Sequence, residues 1–108
     1  MKKVYLSGPM TGVKEYNYPA FNDATARLRA AGYEVINPAE FPKQKSWAKY
    51  MEYALDKLPE CDTIVTLPGW ERSRGAVQEV RKAESLNMVM WQSKHIPLLS
   101  NIKSGERK

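Results

Sequence analysis

The run Thr63-Ile64-Val65-Thr66-Leu67 is almost continuously apolar, and the loop that follows it carries Gly69 and Gly75 before helical periodicity sets in. A strand that lacks polar alternation belongs to a sheet covered on both faces. That demand constrains the rest of the chain, because helices must then lie on both sides of the strand. The loop between strand and helix falls at the strand's carboxyl end, where sheets of this kind bind ligands.

The same alternation repeats along the sequence. Lys3–Ser7 reads as a first strand, followed by a loop from Gly8 to Tyr18. Pro19 suits a first helical position, and Phe21, Ala24, Leu28 and Ala31 supply the apolar spacing of a helix that Gly32 closes. Tyr33–Asn37 is the second strand, closed by Pro38. Ser46 caps a second helix over Trp47–Leu58, with Trp47, Tyr50, Met51, Ala54 and Leu58 on one face and Pro59 as the stop. Gly75–Leu86 forms a third helix with Asn87 as a left-handed cap, and Met88–Gln92 is the fourth strand. The order βαβαβαβ, with no repeat and no linker, predicts a single α/β domain over residues 1–93. Its expected architecture is doubly wound, flavodoxin- or Rossmann-like, with a parallel sheet of about four to five strands and helices on both faces. Residues 94–108, with Ile96, Leu98 and Leu99 as a short apolar patch, form a tail that adds an edge element, packs on a neighbouring subunit or stays disordered.

Three loops then converge on one crevice: Gly8–Thr11, Asn37–Pro38 and Pro68–Gly75. At 108 residues the chain supports one core, and 43% hydrophobic with 27% charged residues is ordinary for a globular protein. No apolar run approaches the roughly 20 residues that span a bilayer, so no membrane partner is expected. The start, Met1-Lys2-Lys3-Val4-Tyr5-Leu6, lacks the apolar segment of a signal peptide. One cysteine, Cys61, and one histidine, His95, leave neither a disulfide nor a zinc cluster. A cytoplasmic protein without metal or cofactor is the expectation. The formal charge of +5 suits phosphate-bearing ligands, although several basic residues lie at the chain ends. No nucleic-acid-binding signature accompanies it, so a nucleic-acid partner is not expected.

Chemistry concentrates in two stretches. In Leu67-Pro68-Gly69-Trp70-Glu71-Arg72-Ser73-Arg74-Gly75-Ala76-Val77-Gln78-Glu79, a glycine-containing loop opens a helix whose free N–H groups suit an anion. Glu79 leans back toward that loop, and the positive helix end is expected to keep it ionised, as a nucleophile must be. Ser73 and Arg74 either contact phosphate or stay solvated in the loop, and Trp70 either stacks on a flat base or covers the end of the sheet. In Tyr5-Leu6-Ser7-Gly8-Pro9-Met10-Thr11-Gly12, strand alternation puts Tyr5 and Ser7 on one face, with the glycines flanking Thr11 as a cradle. Asn17 either bonds a ligand or caps the first helix. Trp47 is expected in the core, Asp62 at the opposite sheet edge as a structural residue, and His95 without a catalytic role.

Tyr5, the Gly8-Pro9-Met10 turn, the Cys61-Asp62 strand start and the Ser73-x-Gly75-Ala76-x-x-Glu79 helix start together resemble the nucleoside 2-deoxyribosyltransferase superfamily. The likeness runs from Lys3 to about Met90 and is nearest to a short branch frequent in phages and bacteria. It implies cleavage of the N-glycosidic bond of a (deoxy)nucleoside or its 5′-monophosphate, as a hydrolase or a transferase. It further implies a glutamate nucleophile at Glu79 with Tyr5 beside it. Gly8, Pro9, Met10, Asn17, Trp70, Ser73 and Gly75 would hold the substrate. Homo-oligomers are also implied, since relatives complete their sites with a neighbour's residues.

The chain departs from the family pattern in the second helix. Relatives carry an aspartate eight residues before the position of Asp62, where Ala54 stands here. Glu52 and Asp56 lie roughly 200° around the helix and face outward, whereas Tyr50 shares the Ala54 face and offers a hydroxyl. Thr11 replaces a basic residue that some nucleotide hydrolases carry. Two other readings fit the same residues: a non-catalytic module binding a nucleotide-derived ligand, and a cytokinin-type phosphoribohydrolase, whose glycine loop is faintly similar.

Overall fold

Residues 2–96 are described by the computed structural model. The first strand, β1 (Lys3–Ser7), is buried from Val4 onward and lies at the middle of the sheet. It pairs in parallel with β2 (Glu34–Ile36) on one side and β3 (Thr63–Thr66) on the other, and β4 (Val89–Gln92) extends the sheet beyond β3. The order β2-β1-β3-β4 reverses direction at β1. The crevice outside the carboxyl ends of β1 and β3 is therefore the switch point of an α/β sheet.

The strands sort their residues by parity. Val4 and Leu6 of β1, with Val65 and Leu67, face α1 (Tyr18–Ala30) and its Phe21, Ala24 and Leu28. Tyr5 and Ile64 face the other way, into a second cluster with Ala54 and Leu58 of α2 (Trp47–Lys57) and Val80 and Ala83 of α3 (Arg74–Ser85). One helix on one face and two on the other give the expected doubly wound α/β domain. None of the described helices is long and apolar enough to cross a membrane.

The local chemistry of the ends accounts for small shifts from the expected boundaries. Helix α3 begins at Arg74 because Ser73 is its cap, its Oγ accepting from the Ala76 N–H at 3.2 Å. Ser46 likewise caps α2 through the Lys49 N–H at 3.1 Å. The second strand is shorter than Tyr33–Asn37, because the buried Asn37 instead caps the turn Pro38–Glu40 by accepting from the Ala39 N–H at 3.0 Å. Asn87 adopts the expected left-handed conformation, with φ 56°.

The domain also extends past residue 93. Ser93–His95 makes a single turn that delivers Ile96 into the core beside Val4, Leu6 and Phe21, where it is 3% exposed. The remaining tail, with Leu98 and Leu99, lies outside the described residues.

Candidate active site

Tyr5 and Ser7 leave β1 on the α3 side, two residues apart as pleating requires. Glu79, in the second turn of α3, meets both. The Tyr5 hydroxyl donates to Glu79 Oε2 at 2.6 Å and the Ser7 hydroxyl to Oε1 at 2.6 Å. Each carboxylate oxygen thus accepts one short hydrogen bond, and the plane of the carboxylate is fixed. Glu79 is 4% exposed and its two partners are fully buried. Burial pushes the Glu79 carboxyl up to about 7, although the bonds from Ser7 and Tyr5 act in the opposite direction. The helix end does not keep the carboxylate fully ionised at neutral pH as expected from its position, because the macrodipole acts mainly on the first turn and desolvation outweighs it here. The Tyr5 hydroxyl is pushed far above its ordinary range by burial and by the neighbouring Glu79 charge, so it stays a donor.

Glu79 lies at the base of a cleft of about 1180 Å³ built from the loops after β1 and β3 and the start of α2. The cleft is lined by cations and free N–H groups. Ser73 satisfies the Ala76 N–H, and its own N–H bonds to the Trp70 carbonyl at 3.0 Å. That leaves the Arg74 and Gly75 N–H groups of the first turn without an acceptor among the described residues. Lys43, Arg72 and Arg74 line the same cleft, and Arg74 stacks over the Trp47 ring at 4.3 Å. None of the three forms an ion pair among the described residues, whereas elsewhere Arg29 holds Glu40 at 2.8 Å and Lys57 holds Glu60 at 3.7 Å. Glu79 is the single carboxylate among the described lining residues. This combination of cations and free N–H groups suits an anion.

Aromatic rings border the same cleft. Phe41 lies 6.5 Å from the Tyr5 ring and 6.0 Å from the Tyr50 ring, centroid to centroid. The rings form a continuous row beside the Glu79 site, and the Tyr50 hydroxyl meets Met10 Sδ at 3.3 Å. A flat, weakly polar group fits against such a surface.

A family model described as "Domain of unknown function (DUF4406)" matches residues 2–92, almost the whole described domain. The chain belongs to the DUF4406 family. Its fold is the nucleoside 2-deoxyribosyltransferase-like α/β fold, found in several solved structures. One is a 2-deoxyribosyltransferase from Leishmania mexicana, with TM-score 0.69 and 18% identity, over 85% of the DUF4406 chain and 63% of that enzyme. Another is the 2-deoxyribosyltransferase of the psychrotolerant bacterium Bacillus psychrosaccharolyticus, with TM-score 0.66 and 18% identity, over 83% and 70% of the two chains. A third is the CMP N-glycosidase BcmB of Clostridium botulinum, with TM-score 0.58 and 25% identity, over 84% and 67%. The DUF4406 chain thus spans 63% of the length of the Leishmania enzyme. No curated protein matches it.

Most residues singled out in the DUF4406 sequence come together at this cleft. Gly8, Pro9, Met10, Asn17, Ser73 and Gly75 all line it. Gly8 is fixed by close approach, since a Cβ there would sit 2.7 Å from Leu67 Cβ where the first and third strands end side by side. A Cβ on Gly75 would meet Met51 Sδ at 3.1 Å, so that glycine lets α2 and α3 approach. Asn17 occupies the cap position of α1 in a left-handed conformation (φ 62°) yet makes no side-chain cap bond, which leaves its amide available to the cleft.

Two tryptophans exchange their expected places. Trp70 does not line the cleft. Gly69 (φ 87°) reverses the chain into the turn Trp70–Arg72, and Trp70 packs on the cluster around Tyr5 and Ala54. Trp47, expected in the core, lines the cleft at 38% exposure, because the buried stripe of α2 consists of Met51 and Ala54. Glu52 and Asp56 are exposed as expected, and Glu52 pairs with Lys49 at 3.6 Å. The site residue that sequence reasoning passed over is Ser7, although its two-residue spacing from Tyr5 was the available signal. Phe41 and Lys43 had no signal of that kind, since they lie in an irregular segment.

Proposed function

We propose that this chain cleaves the N-glycosidic bond of a nucleoside 5′-phosphate, with Glu79 as nucleophile and Tyr5 and Ser7 as its positioning partners. The observation that carries the reading is the buried Glu79 carboxylate, held by two hydroxyls in a cleft lined by Lys43, Arg72 and Arg74. A 5′-phosphate fits the N–H groups of Arg74 and Gly75 with Arg72, Arg74 and Lys43 around it. The base then lies along Phe41 and Tyr50. The neighbouring structures are 2-deoxyribosyltransferases and a CMP N-glycosidase, which supports the same bond as the target.

In this reading an ionised Glu79 oxygen attacks C1′ while the C1′–N bond breaks, its electron pair leaving with the base. The sugar passes through an oxocarbenium-like state and is trapped as a glycosyl ester of Glu79. Water attacking C1′ then breaks the C1′–O bond, returns the Glu79 carboxylate and gives its proton to solvent, which completes hydrolysis. An incoming base nitrogen displaces the carboxylate in the same way and loses its proton, which completes transfer. Tyr5 and Ser7 hold the carboxylate plane so that one lone pair stays directed at C1′.

The test is free-base release by chromatography from ribo- and deoxyribonucleosides and their 5′-monophosphates, with and without an acceptor base. Release from monophosphates that disappears in Glu79→Gln is expected. Release that survives in Glu79→Gln removes Glu79 as nucleophile. No release from any substrate, with binding intact, would make the chain a ligand-binding module.

A further inference from the structure

Burial of a polar group is tolerated when its hydrogen-bonding capacity is met. The part-buried Tyr50 hydroxyl meets that condition poorly within the protein. It lines the cleft, and among the described residues its partner is the Met10 thioether at 3.3 Å, a weak acceptor. A stronger acceptor brought into the cleft displaces that contact at little cost. The ring packs beside Phe41, which in turn packs beside the Tyr5 ring, and the hydroxyl opens on the same cleft as Glu79. On α2, Tyr50 stands one turn before Ala54 and on the same face.

We propose that Tyr50 is a catalytic residue that stabilises the departing base, donating its hydroxyl hydrogen bond to a ring nitrogen or exocyclic oxygen conjugated with the glycosidic nitrogen. The inference rests on the reading of Glu79 as the nucleophile. As the C1′–N bond breaks, the electron pair moves onto the base and delocalises to that acceptor. Tyr50 keeps its proton and strengthens its bond to the charge that develops. The released base takes its proton from water. Burial, with the Glu79 charge second, pushes the Tyr50 hydroxyl above its ordinary range, so it remains a donor throughout the physiological range. A donor of this kind matters most for bases that leave as anions. It matters least for bases that already carry a positive charge and leave neutral.

The experiment compares wild type with Tyr50→Phe on matched 5′-monophosphates that share a sugar and differ in leaving group. The pairs are guanine with N7-methylguanine and uracil with 5-fluorouracil, whichever base the wild type releases. Tyr50→Phe is expected to lower kcat on the poorer leaving group on the order of 10²-fold, the scale for losing one preorganised donor. On the better leaving group of the pair the loss should shrink at least severalfold, with KM and the melting temperature little changed. An equal loss on both members, or none on either, overturns the role of Tyr50 while leaving Glu79 as nucleophile. Wild-type protein that releases no base from any nucleoside 5′-monophosphate, these pairs included, overturns both readings together.

Discussion

Strand β1 serves two different interiors. Its even positions, Val4 and Leu6, enter a wholly apolar cluster against α1, where close packing is the whole interaction. Its odd positions, Tyr5 and Ser7, reach α3 and end on a buried carboxylate. The same backbone thus carries a face that stabilises the domain and a face whose charged form is disfavoured by burial. Strand pleating separates the two, so chemistry on one side costs the other nothing. The contrast predicts that substitutions on the two faces move stability and turnover in opposite patterns.

Glu79→Gln should produce the largest effect on turnover, a loss of at least about 10³-fold, since the nucleophile is gone. Its effect on stability has the opposite sign. The folded carboxyl is raised from 4.5 to about 7 by burial, so between those values the folded state binds more protons than the unfolded one. Stability therefore falls as pH rises through that window. Lifting the group from 4.5 to about 7 sets a ceiling of about 3 kcal/mol on the penalty. Glu79→Gln should melt above wild type at pH 8 and converge with it at pH 5. A variant that melts below wild type at pH 8 would show that the carboxylate stabilises the fold.

Leu6→Ala breaks the other face. Leu6 is fully buried between Tyr5 and Ser7 in sequence yet points away from both. Truncating it should cost about 2–5 kcal/mol. Turnover of the folded protein, measured well below its melting temperature, should change little. A large loss of turnover at full folding would mean that the two faces are coupled through the strand.

Tyr5→Phe and Ser7→Ala sharpen the comparison further. Each removes a hydrogen bond that favours the ionised Glu79, so each should raise its pKa. Wild-type kcat/KM should rise with pH through about 7 as Glu79 ionises. In each variant the rising limb should move to higher pH, with turnover at neutral pH down roughly tenfold by that shift and by lost alignment. A pH profile that does not move would separate these hydroxyls from the Glu79 carboxylate.

The fold was largely legible because it depends on periodicity. The apolar Thr63–Leu67 run, the helical spacing of Phe21, Ala24 and Leu28, and the punctuation by Gly32, Pro59 and Asn87 are local signals. The site was legible where it inherits that periodicity, as for Tyr5 on its strand and Ser73 and Glu79 around the start of α3. It was illegible where long-range packing decides. Trp70 and Trp47 are chemically alike, and only the reversal at Gly69 and the height of Trp47 above Gly75 put one in the core and the other in the cleft. The protonation of Glu79 was misjudged for the same reason. Distance from the helix end is read along the chain, whereas desolvation comes from everything packed around the side chain.

The smallest effect is expected at Thr25, the polar flaw of the apolar face. Its Oγ1 is buried on α1 with no hydrogen-bond partner among the described residues, whereas the buried hydroxyls of Tyr5 and Ser7 are both paired. An unpaired buried hydroxyl carries a desolvation penalty that returns nothing to the fold. Thr25→Val replaces it with a methyl group of similar shape and keeps β-branching, so helix propensity hardly changes. Stability should rise by about 1 kcal/mol, a few degrees in melting temperature for a domain of this size. Turnover and its pH profile should stay as in wild type, because Thr25 is on the face of the sheet that Glu79 does not share. A fall in melting temperature would instead show that the hydroxyl finds an acceptor in solution, with the Phe21 carbonyl one turn earlier on α1 the nearest by sequence. The apolar face would then hold a paired polar group as the other face does, and the difference between them would lie in charge rather than in polarity.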